Sequence, residues 1–84
     1  MPRIPRDISG KKLAHILQKY GYQVSRETGS HLRLASNWKG REHKITIPDH
    51  QEIKIGTLNN ILNDLADYLG QSKTQLIENL FIKH

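Results

Sequence analysis

The sequence predicts an α+β domain: a three-stranded antiparallel sheet with two helices packed on one face, in the order α-β-β-β-α, plus a short C-terminal helix. Three observations carry this prediction. Apolar residues recur at helical spacing near both ends, short strand-like runs fill the stretch from Tyr22 to Pro48, and glycines stand at the junctions, at 21, 29, 40 and 70. With 84 residues, no repeat and no internal linker, the chain has room for a single domain spanning 1–84. Its hydrophobic fraction is 36%, with one Trp and one Phe, so aliphatic side chains must supply most of the core.

The first helix has Ser9 as its N-cap, Leu13, Ile16, Leu17 and Tyr20 on one stripe, and Gly21 as its stop. Ile8 before the cap and Leu13 within the helix are placed to form a hydrophobic staple. Strands follow at roughly Tyr22 to Thr28, His31 to Ser36 and His43 to Ile47, with Gly29 breaking the first pair and Asn37 to Arg41 forming the second turn. Leu32 and Leu34 share a face, as do Ile45 and Ile47, so one side of the sheet is apolar and covered. His31 and Arg33 then fall on the opposite, open side. A second helix starts near Thr57, buries Leu58, Ile61, Leu62, Leu65 and Leu69, and stops at Gly70. Ser72 and Gln75 make a capping box for a third, short helix carrying Leu76, Ile77 and Leu80 and ending in the Phe81-Ile82 pair.

Composition narrows the function. The absence of cysteine removes disulfides, thiolate nucleophiles and Cys-based zinc sites, and fits a reducing compartment. No signal-peptide pattern opens the sequence and no apolar run is long enough to span a bilayer, so a cytoplasmic protein with no membrane partner is expected. The net charge of +5 is unevenly spread: residues 1 to 48 hold ten Lys and Arg against three Asp and Glu, and residues 49 to 84 hold three against five. A basic half on so small a domain favours a polyanionic partner, although a solvated face would carry the same charge.

The predicted layout is that of a double-stranded-RNA-binding domain, with one sheet face left free. Short motifs in order along nearly the whole chain are more specific. They are Ser9-Gly10-Lys11-Lys12-Leu13, Tyr20-Gly21-Tyr22, Gly29-Ser30-His31, Ile45-Thr46-Ile47-Pro48-Asp49-His50 and Gly56-Thr57-Leu58-Asn59-Asn60-Ile61-Leu62. Together they resemble the HicA family; the tail after Gly70 is longer than the family pattern. The resemblance implies the toxin half of a type II toxin–antitoxin pair, an mRNA interferase that cuts RNA without metal or cofactor and is silenced by a HicB-like antitoxin. It also assigns catalysis to the histidine of Gly-Ser-His, which is His31.

Histidine suits this chemistry because both protonation states are available near neutrality, so it can take a proton from the attacking 2′-hydroxyl or give one to the leaving 5′-oxygen. Gly29 permits a tight turn and close approach of a phosphate, and Ser30 can offer its hydroxyl or amide to the same phosphate. Lys11, Lys12, Arg26, Arg33, Lys39, Arg41 and Lys44 are expected to hold the RNA backbone. His50 is an auxiliary candidate, because its strand end returns close to the start of the His31 strand, but a turn after Pro48 is the favoured reading. His43, at the far end of the hairpin, is expected to be a surface strand residue, and His15 and His84 to be exposed. Trp38, at the hairpin tip, either packs on the sheet edge, the favoured reading, or stacks on a base.

Three rival functions share these features. A metal site from His31, His43 and His50 has spacings that match no common ligand motif. A non-catalytic module that binds double-stranded RNA by shape has the same fold and charge, and a protein-docking domain would use the basic face for an acidic partner.

Overall fold

The structure, a computed structural model, describes residues 4–82. Helix α1 spans Gly10–Ile16, strands β1, β2 and β3 span Gln23–Thr28, His31–Ser36 and His43–Pro48, and helices α2 and α3 span Ile55–Leu69 and Lys73–Ile77. The strands form one antiparallel sheet in the order β1-β2-β3. Among the described residues no helix is long and apolar enough to cross a membrane. His84 lies outside the described residues.

Each helix end is set by local chemistry. The Ser9 hydroxyl accepts from the Lys12 amide at 3.0 Å, capping α1. The helix does not run as one α-helix to Gly21. It tightens into a 3-10 turn over Leu17–Tyr20, and the amides of Gly21 and Tyr22 both reach back to the Leu17 carbonyl, turning the chain into β1. Helix α2 begins two residues earlier than Thr57, because the Lys54 carbonyl accepts from the Leu58 amide and closes a first turn that no side chain caps. The Ser72–Gln75 capping box is present, and α3 continues as one π-helical segment over Glu78–Ile82.

The core lies between the helices and one sheet face. Leu13 and Leu17 from the first helical segment, Leu32, Leu34, Ile45 and Ile47 from the sheet, and Leu58, Leu62 and Leu65 from α2 are all buried. Among the described residues the opposite face of the sheet has no covering layer: Arg33, Lys44 and Thr46 alternate outward with those buried aliphatics.

His43 is half-buried and turned toward the helices rather than an exposed strand residue as expected. Its side chain is 16% exposed, its Nδ1 lies 2.6 Å from the Tyr22 hydroxyl, its Nε2 lies 3.1 Å from Asp64 Oδ1, and its ring stacks on Tyr68 at 4.5 Å. Position 43 has the parity of Ile45 and Ile47, so period two turns it toward the helices. Burial, followed by the nearby Tyr68 and Asp64, pushes the Tyr22 phenol well above its ordinary range. The phenol therefore stays protonated and shares a hydrogen bond with Nδ1, while the Asp64 carboxylate accepts from Nε2–H. Replacing His43 with alanine strands the buried Tyr22 hydroxyl, and urea denaturation is expected to register a loss of about 1–3 kcal/mol.

Candidate active site

The residues proposed for chemistry converge on one end of the sheet. Thr28 and His31 flank a two-residue turn, Gly29-Ser30, in which Gly29 has φ 48° and Ser30 does not have a positive φ. A positive φ at the first loop position alone is the type II′ arrangement, which glycine adopts without a Cβ penalty and which matches the twist of the strands it joins. The space around Gly29 is open: a Cβ there would meet nothing within 4 Å. Both Ser30 and His31 are exposed, and Ser30 Oγ lies 3.3 Å from His31 Nδ1. That contact serves either tautomer, since Oγ can donate to a bare Nδ1 or accept from Nδ1–H, and in both cases Nε2 is left for a substrate.

The register sorts the open face into rows. Thr28, His31 and Pro48 form the first, Arg26, Arg33 and Thr46 the second, and Gln23, Ala35 and Lys44 the third. Arg26 stands directly opposite Arg33, and neither makes an ion pair among the described residues. Like charges at directly opposed positions cost stability. Arg26 reaches this face only because the register shifts between Val24 and Arg26, a bulge at Ser25 whose hydroxyl donates to the Arg33 carbonyl at 3.3 Å. Strict alternation from Val24, which pairs with Leu34 on the helix side, would have pointed Arg26 away.

The chain around His50 ties three elements together beside His31. Pro48 pairs with His31, the Asp49 amide donates to the Ser30 carbonyl at 2.7 Å, and the Gly10 amide donates to the His50 carbonyl at 3.0 Å. His50 is exposed, and no hydrogen bond joins its ring to that of His31 among the described residues. Gly10 is where α1 meets the end of β3: a Cβ there would lie 2.2 Å from the Pro48 carbonyl oxygen.

The remaining cations are spread more widely. Lys11, in the first turn of α1, lines a groove with Glu27 and Leu32 at the β1 edge, while Lys12 lines a separate groove with Phe81. Lys44 belongs to the open face, 3.5 Å from Glu42. Lys39 and Arg41 lie in the β2–β3 turn at the opposite end of the sheet, with the Arg41 guanidinium 5.3 Å above the Tyr68 ring. His15 is exposed. His43 faces the helices, away from His31, and no group of three His, Asp or Glu side chains is placed to hold a metal ion among the described residues.

The fold and this site define a class: a small basic domain of the double-stranded-RNA-binding layout, with an exposed imidazole one row from two opposed arginines on the sheet face that no described helix covers. Residues 10–66 match the HicA toxin of bacterial toxin–antitoxin systems, and the chain belongs to that family. It is therefore a toxin of such a system, with an antitoxin as counterpart. No curated protein and no solved structure matches the chain. The match ends within α2, so α3 and the segment after it lie beyond the matched residues; α3 packs against α2, and Leu76, Ile77 and Leu80 join the buried core.

Proposed function

We propose that this toxin is a metal-independent endoribonuclease acting on mRNA in the cytoplasm, with His31 as its catalytic side chain. The observation that carries the reading is the placement of His31, exposed, one row from the opposed Arg26 and Arg33. Two like charges held face to face without an acidic partner cost the folded state and are offset when a phosphate lies between them.

The chemistry follows from that arrangement. RNA carries its own nucleophile, so the protein needs to remove the 2′-hydroxyl proton, supply a proton to the leaving 5′-oxygen and stabilise charge at phosphorus. Nε2 of His31 performs the first or second of these, with Ser30 holding Nδ1. Arg26 and Arg33 serve the third, and the open approach at Gly29 admits the phosphate. Lys44 extends the positive open face, while Lys11, Lys12, Lys39 and Arg41, which lie off that face, add to the field that draws the strand in and contact its flanking phosphates. His50, whose backbone is tied to the same corner, is the candidate for the complementary proton. A HicB-like antitoxin would silence the toxin by covering the His31 end of the sheet.

Cleavage of RNA by the purified protein with EDTA present tests the reading; binding without cleavage would leave a non-catalytic RNA-binding module instead. The arginine pair has its own signature. Arg33→Gln is expected to weaken RNA binding and to reduce the slope of log affinity against log salt by about 0.7, the share of one phosphate contact on a single strand. The same variant should be more stable by about 0.2–1 kcal/mol in urea melts, because the repulsion from Arg26 is relieved. An unchanged salt slope would remove Arg33 from the RNA track.

A further inference from the structure

The β2–β3 turn, at the other end of the sheet from His31, is built more firmly than an exposed turn requires. Gly40 N–H donates to the Asn37 carbonyl at 2.9 Å, and Trp38 N–H donates to Ser36 Oγ at 3.1 Å. The buried Ser36 hydroxyl in turn donates to the Tyr20 carbonyl at 2.7 Å. Lys39 N–H donates to the Tyr68 hydroxyl at 2.9 Å, and that hydroxyl donates to the Arg41 carbonyl at 2.6 Å. The turn is thus tied to the core from two sides.

What this rigid turn presents is an indole. Trp38 is 56% exposed, although it is the largest apolar side chain in the protein and meets Tyr20 edge-to-face at 5.7 Å. In an edge-to-face pair only one ring offers its face, so Tyr20 leaves at least one face of the indole uncovered. The tip also carries two cations, Lys39, whose ammonium lies beside Gly70, and Arg41. The indole packs beside Gly21 and Tyr20, and the two cations sit on the α2 side of the same tip, beside Gly70 and over Tyr68; a fixed, exposed aromatic face on a tip that also carries positive charge is the chemistry of a stacking platform for unpaired bases.

We propose that Trp38 forms a base-stacking subsite for single-stranded RNA, a few nucleotides along the strand from the phosphate at His31. Residues 31 to 36 of β2 set the interval, about 17 Å at the rise of an extended strand. The inference rests on the RNA reading above and adds a substrate form to it: RNA that is unpaired at the hairpin tip, since bases inside a duplex are already stacked and cannot lie on the indole.

The single tryptophan makes the test direct. The His31→Ala protein, which keeps the RNA intact, is titrated with a single-stranded oligoadenylate of about ten nucleotides and with a duplex of the same length. Indole emission is expected to be quenched by the single strand and not by the duplex. Adding Trp38→Ala should weaken single-strand binding about tenfold, while Trp38→Phe retains most of it. Thermal melts of both variants show whether the turn still packs, and the quenching measurement needs no Trp38 variant. Binding of the single strand without quenching, and with unchanged affinity in Trp38→Phe and Trp38→Ala, overturns the subsite and leaves the RNA reading standing. No binding of either RNA overturns both. Emission that ignores RNA but shifts on adding the antitoxin assigns the tip to the protein partner and overturns the subsite.

Discussion

His31→Ala is expected to lower RNA cleavage by about 10²–10⁴-fold, the usual contribution of a positioned general acid or base. The loss should fall on kcat rather than on RNA affinity, because the arginines, not the imidazole, hold the backbone. Its stability should stay within about 0.5 kcal/mol of the parent, since His31 is exposed and its ring meets only Ser30 among the hydrogen-bonding groups described. Growth inhibition in cells should disappear while the antitoxin complex still forms. Single-turnover cleavage, a urea melt and co-purification with the antitoxin separate these readouts. A variant that still cut RNA at close to the parent rate would remove His31 from the chemistry and leave His50 as the next imidazole to test.

Gly10→Ala should produce the second large effect, on both fold and activity. The added methyl group would sit 2.2 Å from the Pro48 carbonyl oxygen, closer than side-chain carbons come to backbone, and a tight 3.0 Å from Asp49 Cα. Backbone cannot swing aside as a side-chain tip does, so α1 and the end of β3 must separate. Overpacking of this kind costs about 1–3 kcal/mol, or roughly 4–8 °C in Tm per kcal/mol for a domain of this size. The displaced segment includes Asp49, whose amide holds the Ser30 carbonyl, so the His31 corner moves with it. Cleavage should therefore fall even at temperatures where the variant is fully folded. A Gly10→Ala protein that melted and cleaved like the parent would show that this close approach does not position the site.

The two effects differ in how readily the sequence betrays them. The exposed placement of His31 was legible: Gly-Ser after a strand marks a tight turn, and the histidine that follows shares parity with Arg33, opposite in face to Leu32 and Leu34. The role of Gly10 was not, because its backbone avoids steric conflict with a residue nearly forty positions away, and no local pattern records that distance. His43 was misread although its parity with Ile45 and Ile47 pointed inward, because a histidine at a hairpin end suggests solvent unless its partners, Tyr22 and Asp64, are known. Trp38 could be placed at the turn, yet whether it packed or stood free depended on Tyr20, Ser36 and Tyr68.

By itself, the sequence determined the order of elements, the caps at Ser9 and Ser72, the breaks at Gly21, Gly29 and Gly70, the covered sheet face and the exposed histidine. All of these follow from interactions between near neighbours and from periods of two and 3.6 residues. Tertiary structure alone decided that Arg26 faces Arg33, because a bulge at Ser25 reverses the alternation of β1 and is fixed by its pairing with β2. It also decided that the first helical segment closes on Pro48 through a bare glycine. Both depend on strand pairing and close packing between distant parts of the chain, where the energy lies in contacts that composition and spacing do not encode.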